Sequence, residues 1–486
     1  MSFSEINALR KKGDLQSAYD MAHSELLRNP EDLWIKRALM WVLYDLMKDN
    51  DDIAALLEEV VDLNLQADQE GMFFEKLVWM IGKNIAAVRN NVEYVDHVAK
   101  IIGNLNFPPS NGYSYLLKAF HKHKGEWGGY LEFCDWWDLE KLQNEDYNPF
   151  RTESGTEIMA LAEQVYIAYA KLLLQTEDNE KIREFIPKIE RLGNEHPKYK
   201  YPPYFIAKLY QKVGDHDNAL KVILPFIRKQ SNDYWVWQTL GDICTDEELR
   251  FSCYSKALTC KCKPEMLVSI KEAYANMLAS RGLYNEAKTE FSQVIGIRQS
   301  HSWRVPESLL RHQSESWYSE SSVMPNNEAC YNKYKSAAEE LMLDGLIRIS
   351  FMIVGLNQEK KIANFITPER RSGVFIYARF FRKAPSLGSC YEGYFSEYSE
   401  DGFAKAVRIS TSSDPVWDAL KCEFSGILRM GPSKKFGIVD CSGKQVFVPR
   451  TLLAGLDELD RVKGVAVASY DKTKKRDGWT ALAISK

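Results

Sequence analysis

Apolar residues recur every three to four positions along residues 6–294, and alternating stretches are few there. This spacing places the apolar side chains on one face of a helix. From Leu346 to the end the period changes to two, with β-branched and aromatic residues in the apolar positions. Such alternation is typical of strands that bury one face. The pattern therefore predicts a helical first part and a β-rich last part.

The helical part contains a recurring signature in which a glycine is followed five residues later by an alanine. It occurs at Gly13–Ala18, Gly214–Ala219 and Gly282–Ala287, each time with larger apolar residues after the alanine. Glycine turns the chain between two antiparallel helices, and the small alanine lets the second helix approach the first. Ala219 and Ala287 lie 68 positions apart, which is twice the roughly 34-residue period of tetratricopeptide repeats.

Residues 1–297 therefore resemble a tetratricopeptide-repeat array, although residues 50–200 depart from its consensus and leave the number of repeats open. The resemblance implies an α-solenoid whose surface binds a protein partner, with a purely structural spacer as the alternative. Aromatic residues crowd into residues 125–152, where they form either a helical core or a protein-contact patch. The segments Glu31–Asp45 and Phe133–Leu139 also look like uncharacterised repeat proteins of bacterial conflict (defence) operons.

The best-defined β unit spans residues 422–485. Its alternating segments are separated by turns at Gly431–Ser433 and Cys441–Lys444, and a longer connection precedes the last two strands. In its order of strands and turns it resembles a cold-shock domain, a five-stranded oligonucleotide-binding (OB) barrel. That family carries two ribonucleoprotein motifs on its second and third strands, and the resemblance implies that their outward aromatic side chains stack on bases.

This chain keeps one aromatic residue of each ribonucleoprotein motif, as Phe436 and Phe447. Three other positions, where the family has aromatic residues or a histidine, hold Met430, Ile438 and Pro449. The platform for stacking bases is therefore thinner than that of the family, which lowers the expected affinity.

Residues 346–411 follow the same plan and resemble a second, more diverged cold-shock-like barrel. Its first motif holds Ala363 and Phe365, and its second motif holds Phe375 and Tyr377. Residues two apart on a strand share a face, so each pair points to one side. We expect that side to be the outer face, where each ring stacks on an unpaired base with about 1–3 kcal/mol. The alternative is that these rings form the core of the barrel.

The distribution of charge favours a polyanionic partner for the C-terminal part. Residues 346–486 contain 23 lysines and arginines against 15 aspartates and glutamates, whereas residues 1–345 contain 40 against 52. The net charge of −4 is thus the sum of a basic C-terminal part and an acidic N-terminal part. Basic residues near the rings are expected to hold phosphates, with a solvated rim as the alternative. The candidate nucleic-acid-binding residues are Phe365, Phe375, Tyr377, Lys361, Arg379, Arg429, Lys434, Lys435, Phe436, Phe447 and Arg450.

The sequence contains no phosphate-binding glycine loop, no His-Glu-x-x-His helix and no nucleophile elbow. We therefore expect no enzymatic activity, no cofactor and no bound metal. The nine cysteines are irregularly spaced, as in proteins with reduced thiols, and no apolar run is long enough to span a membrane. The first residues lack the basic and then apolar pattern of a secretory signal. These features predict a cytoplasmic protein without membrane contact, and the oligomeric state stays open.

The sequence thus predicts a multidomain α + β protein with an N-terminal α-solenoid of helical hairpins and C-terminal tandem five-stranded OB/cold-shock-like β-barrels. The predicted function is that of a non-enzymatic adaptor in a bacterial defence system. It binds single-stranded RNA or DNA through the barrels and a protein partner through the helical array. A pure protein–protein interaction scaffold, whose barrels no longer bind nucleic acid, is the alternative. The predicted domains are the helical-repeat domain (1–297), a linker and connecting helix (298–345), the first barrel (346–411) and the second barrel (421–486).

Overall fold

The computed structural model describes residues 2–65, 70–399, 402–412, 420–432, 435–441, 443–471 and 476–486. The chain divides into two compact units. The first unit comprises Met1–Lys229 and Gln238–Arg250, and the second comprises Gln230–Trp237 and Phe251–Lys486. The first unit is mainly helical, whereas the second carries helices followed by two β-barrels.

Helices occupy most of the chain up to residue 341. They are α1 (Ser2–Lys12), α2 (Leu15–Arg28), α3 (Leu33–Met47), α4 (Ala54–Asp62), α5 (Gly71–Ala87), α6 (Val92–Ile102), α7 (Asn111–His121), α8 (Tyr130–Trp137), α9 (Leu161–Leu173), α10 (Asn179–Glu195), α11 (Pro202–Lys212), α12 (His216–Lys229), α13 (Tyr234–Ile243), α14 (Glu247–Leu258), α15 (Val268–Ser280), α16 (Tyr284–Ser300), α17 (Glu307–His312), α18 (Ser316–Glu320), α19 (Glu328–Tyr334) and α20 (Ser336–Leu341). A two-stranded hairpin of β1 (Phe150–Arg151) and β2 (Glu157–Ile158) lies between α8 and α9.

The signature glycines turn the chain between paired helices, as their spacing predicts. Their φ angles are +86° at Gly13, +81° at Gly214 and +72° at Gly282, in the left-handed region that glycine adopts without strain. The alanines five residues later are fully buried, so the helices approach closely at these points. Assignment to the tetratricopeptide class stays a prediction, as do the domain boundaries.

The aromatic residues between α7 and α9 mainly fill the core of the first unit. Trp127, Phe133 and Trp137 are at most 4% exposed. The ring of Trp137 stacks on Tyr113 with a centroid distance of 4.5 Å, and its indole nitrogen donates to the Tyr113 carbonyl. These rings therefore form part of a helical core, which is the first of the two interpretations of this segment.

Two five-stranded barrels follow the helices. The strands of the first are β3 (Ile347–Asn357), β4 (Ile362–Ile366), β5 (Ser372–Ile376), β6 (Cys390–Ser399) and β7 (Gly402–Thr411). Those of the second are β8 (Lys421–Met430), β9 (Phe436–Cys441), β10 (Lys444–Pro449), β11 (Arg461–Asp471) and β12 (Arg476–Ser485).

Both barrels are closed in the same order, in which the first three strands form a meander and the third pairs in parallel with the fifth. The parallel pairings are Gly373 with Phe403 in the first barrel and Val446 with Trp479 in the second. This is the connectivity of an OB-type barrel, and it confirms the predicted α + β class with OB-like barrels. Within the described residues, no helix is both long and apolar enough to cross a membrane.

Candidate nucleic-acid interface

Two neighbouring strands of the second barrel present aromatic rings outward. On β9 and β10 the inward positions hold Val439, Val446 and Val448, all fully buried. Side chains alternate along a strand, so Phe436 and Phe447 lie on the outer face. Their ring centroids are 5.6 Å apart with an interplanar angle of 26°, and Phe447 is 44% exposed. A ring this exposed is not required by the barrel core.

The turn before β9 fixes the position of the Phe436 ring. The backbone nitrogen of Gly431 donates to the Phe436 carbonyl at 2.8 Å, which closes the turn between β8 and β9. A Cβ at Gly431 would lie 2.5 Å from the Phe436 ring. The ring therefore lies directly over the glycine, and any larger residue there would displace it.

A row of side chains crosses three strands beside these rings. Arg429 on β8 pairs with Ile438 on β9, and Ile438 pairs with Phe447 on β10. Arg429 is 71% exposed and lies 3.8 Å from Asp440, which is 47% exposed. An ion pair this long and exposed contributes little stability, so the guanidinium is accessible to a phosphate next to the rings.

Further cations surround the aromatic pair. Lys435 and Arg450 are exposed at the open end of the β9–β10 hairpin, where Phe436 pairs with Pro449, as the sequence predicts for phosphate contacts. Lys434 lies outside the described residues. The strand order adds Arg461 and Lys463, two exposed residues of β11 that pair with Ile427 and Ser425 of β8. Sequence analysis missed these two because their place beside β8 depends on a long-range pairing, although the alternation Arg461-Val462-Lys463 is the visible signal.

The first barrel differs from the expectation at its aromatic residues. Phe365, Phe375 and Tyr377 are 1%, 5% and 8% exposed and form the barrel core together with Phe351 and Phe395. The expectation that these three rings lie on the outer face was therefore wrong. In this structure they cannot stack on bases, because the barrel wall covers them.

The prediction assigned the residues of β4 and β5 to the wrong faces of the barrel wall, as a shift of one residue along each strand would. Each pair does share a face, but it is the inner one, because the Phe365 ring packs over Gly373 on the paired strand. A shift by one position moves every side chain of a strand to the other face. The outer positions of β4 and β5 hold Asn364, Val374 and Ile376 instead. The basic candidates Lys361 and Arg379 are exposed, but no exposed aromatic ring accompanies them on these strands.

Two family models match this chain. Residues 422–484 match the model described as S1/CSD-like domain 2 of the TOTE conflict systems. Residues 200–338 match a model described as a domain of unknown function, DUF7017. None of the curated proteins matches the chain. The first match confirms the cold-shock-like character of the second barrel and the predicted likeness to conflict-system proteins.

Proposed function

We propose that this protein is a non-enzymatic adaptor that binds single-stranded nucleic acid through the outer face of its second barrel. The observation that carries the proposal is the stacked pair of the half-buried Phe436 and the exposed Phe447 beside Arg429. Aromatic rings bind unpaired bases by stacking, and neighbouring cations hold the phosphates. A paired duplex does not offer its base faces, so the arrangement favours single strands. The S1/CSD-like match of this barrel supports the same function in a conflict system.

We further propose that the helical part binds a protein partner. A pocket of about 420 Å³ in the first unit supports this role. Trp127, Phe133 and Trp136 line this pocket together with Asp96, Lys100 and Glu132, and Lys100 pairs with Asp96 at 2.6 Å. Pockets with this apolar lining and a few polar groups are typical of binding sites.

Replacement of Arg429 by alanine should weaken binding and reduce its salt dependence. Each phosphate contact on a single strand contributes about −0.7 to the slope of log K against log salt. We therefore expect the slope for Arg429→Ala to be less negative by about 0.7. Fluorescence anisotropy of the full chain with a labelled single-stranded oligonucleotide over a salt series measures both quantities. Lys405→Ala, which removes an exposed and ion-paired lysine of the first barrel, is the control; equal slopes for all three proteins would contradict the contact.

The buried rings of the first barrel should matter for stability rather than for binding. Phe375→Leu removes an aromatic ring from the core, and we expect a lower melting temperature of the barrel because the remaining space is poorly filled. Oligonucleotide affinity should stay within about twofold of the wild type, which is less than one stacked base contributes. Thermal unfolding and anisotropy on the same preparation test both statements. Loss of affinity without loss of stability would place Phe375 at the nucleic acid.

A further inference from the structure

The two barrels share a buried apolar interface. Met352, Ile366 and Cys390 of the first barrel pack with Val467 and Ala468 of the second, and each is at most 5% exposed. Leu420, the residue before β8, is fully buried in the same cluster. The two barrels thus pack against each other through apolar side chains.

Cations from both barrels meet on one indole ring at the edge of this interface. The guanidinium carbon of Arg370, in the turn between β4 and β5, lies 5.5 Å from the centroid of Trp479 on β12. The ammonium nitrogen of Lys444, at the start of β10, lies 5.0 Å from the same ring. Arg370 also pairs with Asp477 at 3.3 Å, with side-chain exposures of 34% and 51%. We call Arg370, Lys444, Asp477 and Trp479 the seam cluster.

The seam cluster adjoins the proposed stacking face. Lys444 and Phe447 lie on the same strand, three residues or about 10 Å apart, and their side chains leave opposite faces of β10. On the other side of β10, the parallel strand β12 places Thr480 beside Phe447 and Trp479 beside Val446. A nucleic-acid strand that leaves the Phe436–Phe447 pair toward the start of β10 therefore has to turn around the end of this strand to reach Lys444 and then Arg370.

The electrostatics of the seam cluster suit a phosphate. Two cations lie over one ring, and the carboxylate paired with Arg370, that of Asp477, is half exposed and therefore easily displaced. A phosphate group can replace that carboxylate on the guanidinium of Arg370, because guanidinium forms charge-assisted hydrogen bonds with phosphate oxygens. The cluster then gains an anion without burying an unpaired charge.

We propose that the bound single strand extends across the seam, where Arg370 of the first barrel binds a phosphate in place of Asp477. This inference rests on the proposed function of the second barrel. It assigns the first barrel a role in length recognition, although its aromatic rings are buried. A short oligonucleotide fills the Phe436–Phe447 face alone, whereas a longer one also reaches Arg370.

The test compares oligonucleotides of about 5 and about 15 nucleotides, which lie near the lower and upper ends of the usual site size of one OB barrel. With the full chain, Arg370→Ala should weaken binding of the long oligonucleotide about five- to tenfold and make its salt slope less negative by about 0.7, with no change for the short one. Asp477→Asn should strengthen binding of the long oligonucleotide about two- to threefold, because it removes the competing carboxylate. Arg370→Lys, which keeps the charge, should restore most of the affinity.

The opposite signs separate this proposal from a structural role for the ion pair. If the pair merely holds the barrels together, Arg370→Ala and Asp477→Asn both loosen the interface and change affinity in the same direction. That result, or equal effects of Arg370→Ala on both lengths, would overturn the proposal. Failure of the proposed function is distinguishable, because the wild type would then bind neither length and Phe447→Ala would change nothing.

Discussion

The double variant Phe436→Ala/Phe447→Ala is expected to bind single-stranded oligonucleotides at least about 30-fold more weakly than the wild type. Each stacked ring contributes about 1–3 kcal/mol, and every 1.4 kcal/mol is a factor of ten in affinity. The rings are in contact with each other, so the losses of binding free energy in the two single variants should not sum to the loss in the double variant. Anisotropy titrations of the wild type, both single variants and the double variant measure the individual losses and their coupling.

A matched control for this variant comes from the first barrel. Val374→Ala/Ile376→Ala removes two side chains that are 43% and 42% exposed, close to the 44% of Phe447, from the third strand of a barrel with the same topology. We expect its affinity to equal that of the wild type, because aliphatic side chains offer no ring for stacking. Equal losses in both double variants would show that general surface damage, and not stacking, lowers the affinity.

Lys271→Met is expected to destabilise the helical part of the second unit by about 3–5 kcal/mol. Lys271 and Glu290 are 7% and 0% exposed, and their Nζ and Oε2 atoms are 2.8 Å apart. The same carboxylate accepts hydrogen bonds from Tyr331 and Asn327. Removal of the amine leaves Glu290 as a buried charge without its cation, which is the costly way to break a buried ion pair. Hydrogen–deuterium exchange measures the loss as faster exchange of α15 and α16.

Two controls accompany the Lys271→Met variant. The double variant Lys271→Met/Glu290→Gln removes both charges but keeps an amide for Tyr331 and Asn327, and we expect it to recover most of the loss. Arg151→Met breaks an ion pair whose partners are 74% and 58% exposed, which should cost less than about 1 kcal/mol. An effect of Lys271→Met no larger than that of Arg151→Met would contradict the structural role of the buried pair.

The second barrel was the part of the fold most open to prediction from sequence. Buried and outward side chains alternate along its strands, with the valines at 439, 446 and 448 inside. Phe447 lies between two of these valines, and Phe436 lies three residues before Val439. Alternation of this kind fixes both the strand and the face. The positions of the two rings on adjacent strands followed from the turn at Cys441–Lys444, which sets the hairpin register.

For the first barrel, the same reasoning could not identify the buried face, because its strands carry apolar residues on both faces. β4 reads Ile362-Ala363-Asn364-Phe365-Ile366, and β5 continues through Val374-Phe375-Ile376 into Tyr377. Period-two alternation cannot decide which face is buried when both carry large apolar residues. The structure decides it through Gly373, whose missing side chain leaves room for the Phe365 ring inside the barrel.

Features that depend on contacts between distant parts of the chain could not be predicted from the sequence pattern. Lys271 and Glu290 lie on different helices, and neither carries a local sign of burial or pairing. The seam cluster joins Arg370 to residues more than seventy positions away, and it requires the two barrels to pack against each other. Local periodicity predicts elements and faces, whereas such contacts follow only from the packing of complete domains.

The most direct test of the central claim is an equilibrium comparison of a labelled single strand with its duplex, using the full chain at low salt. We expect micromolar or tighter binding of the single strand, and weaker binding of the duplex, because only unpaired bases can stack on Phe436 and Phe447. Absence of saturable binding to the single strand would contradict the account. Duplex binding as tight as that of the single strand would contradict it equally.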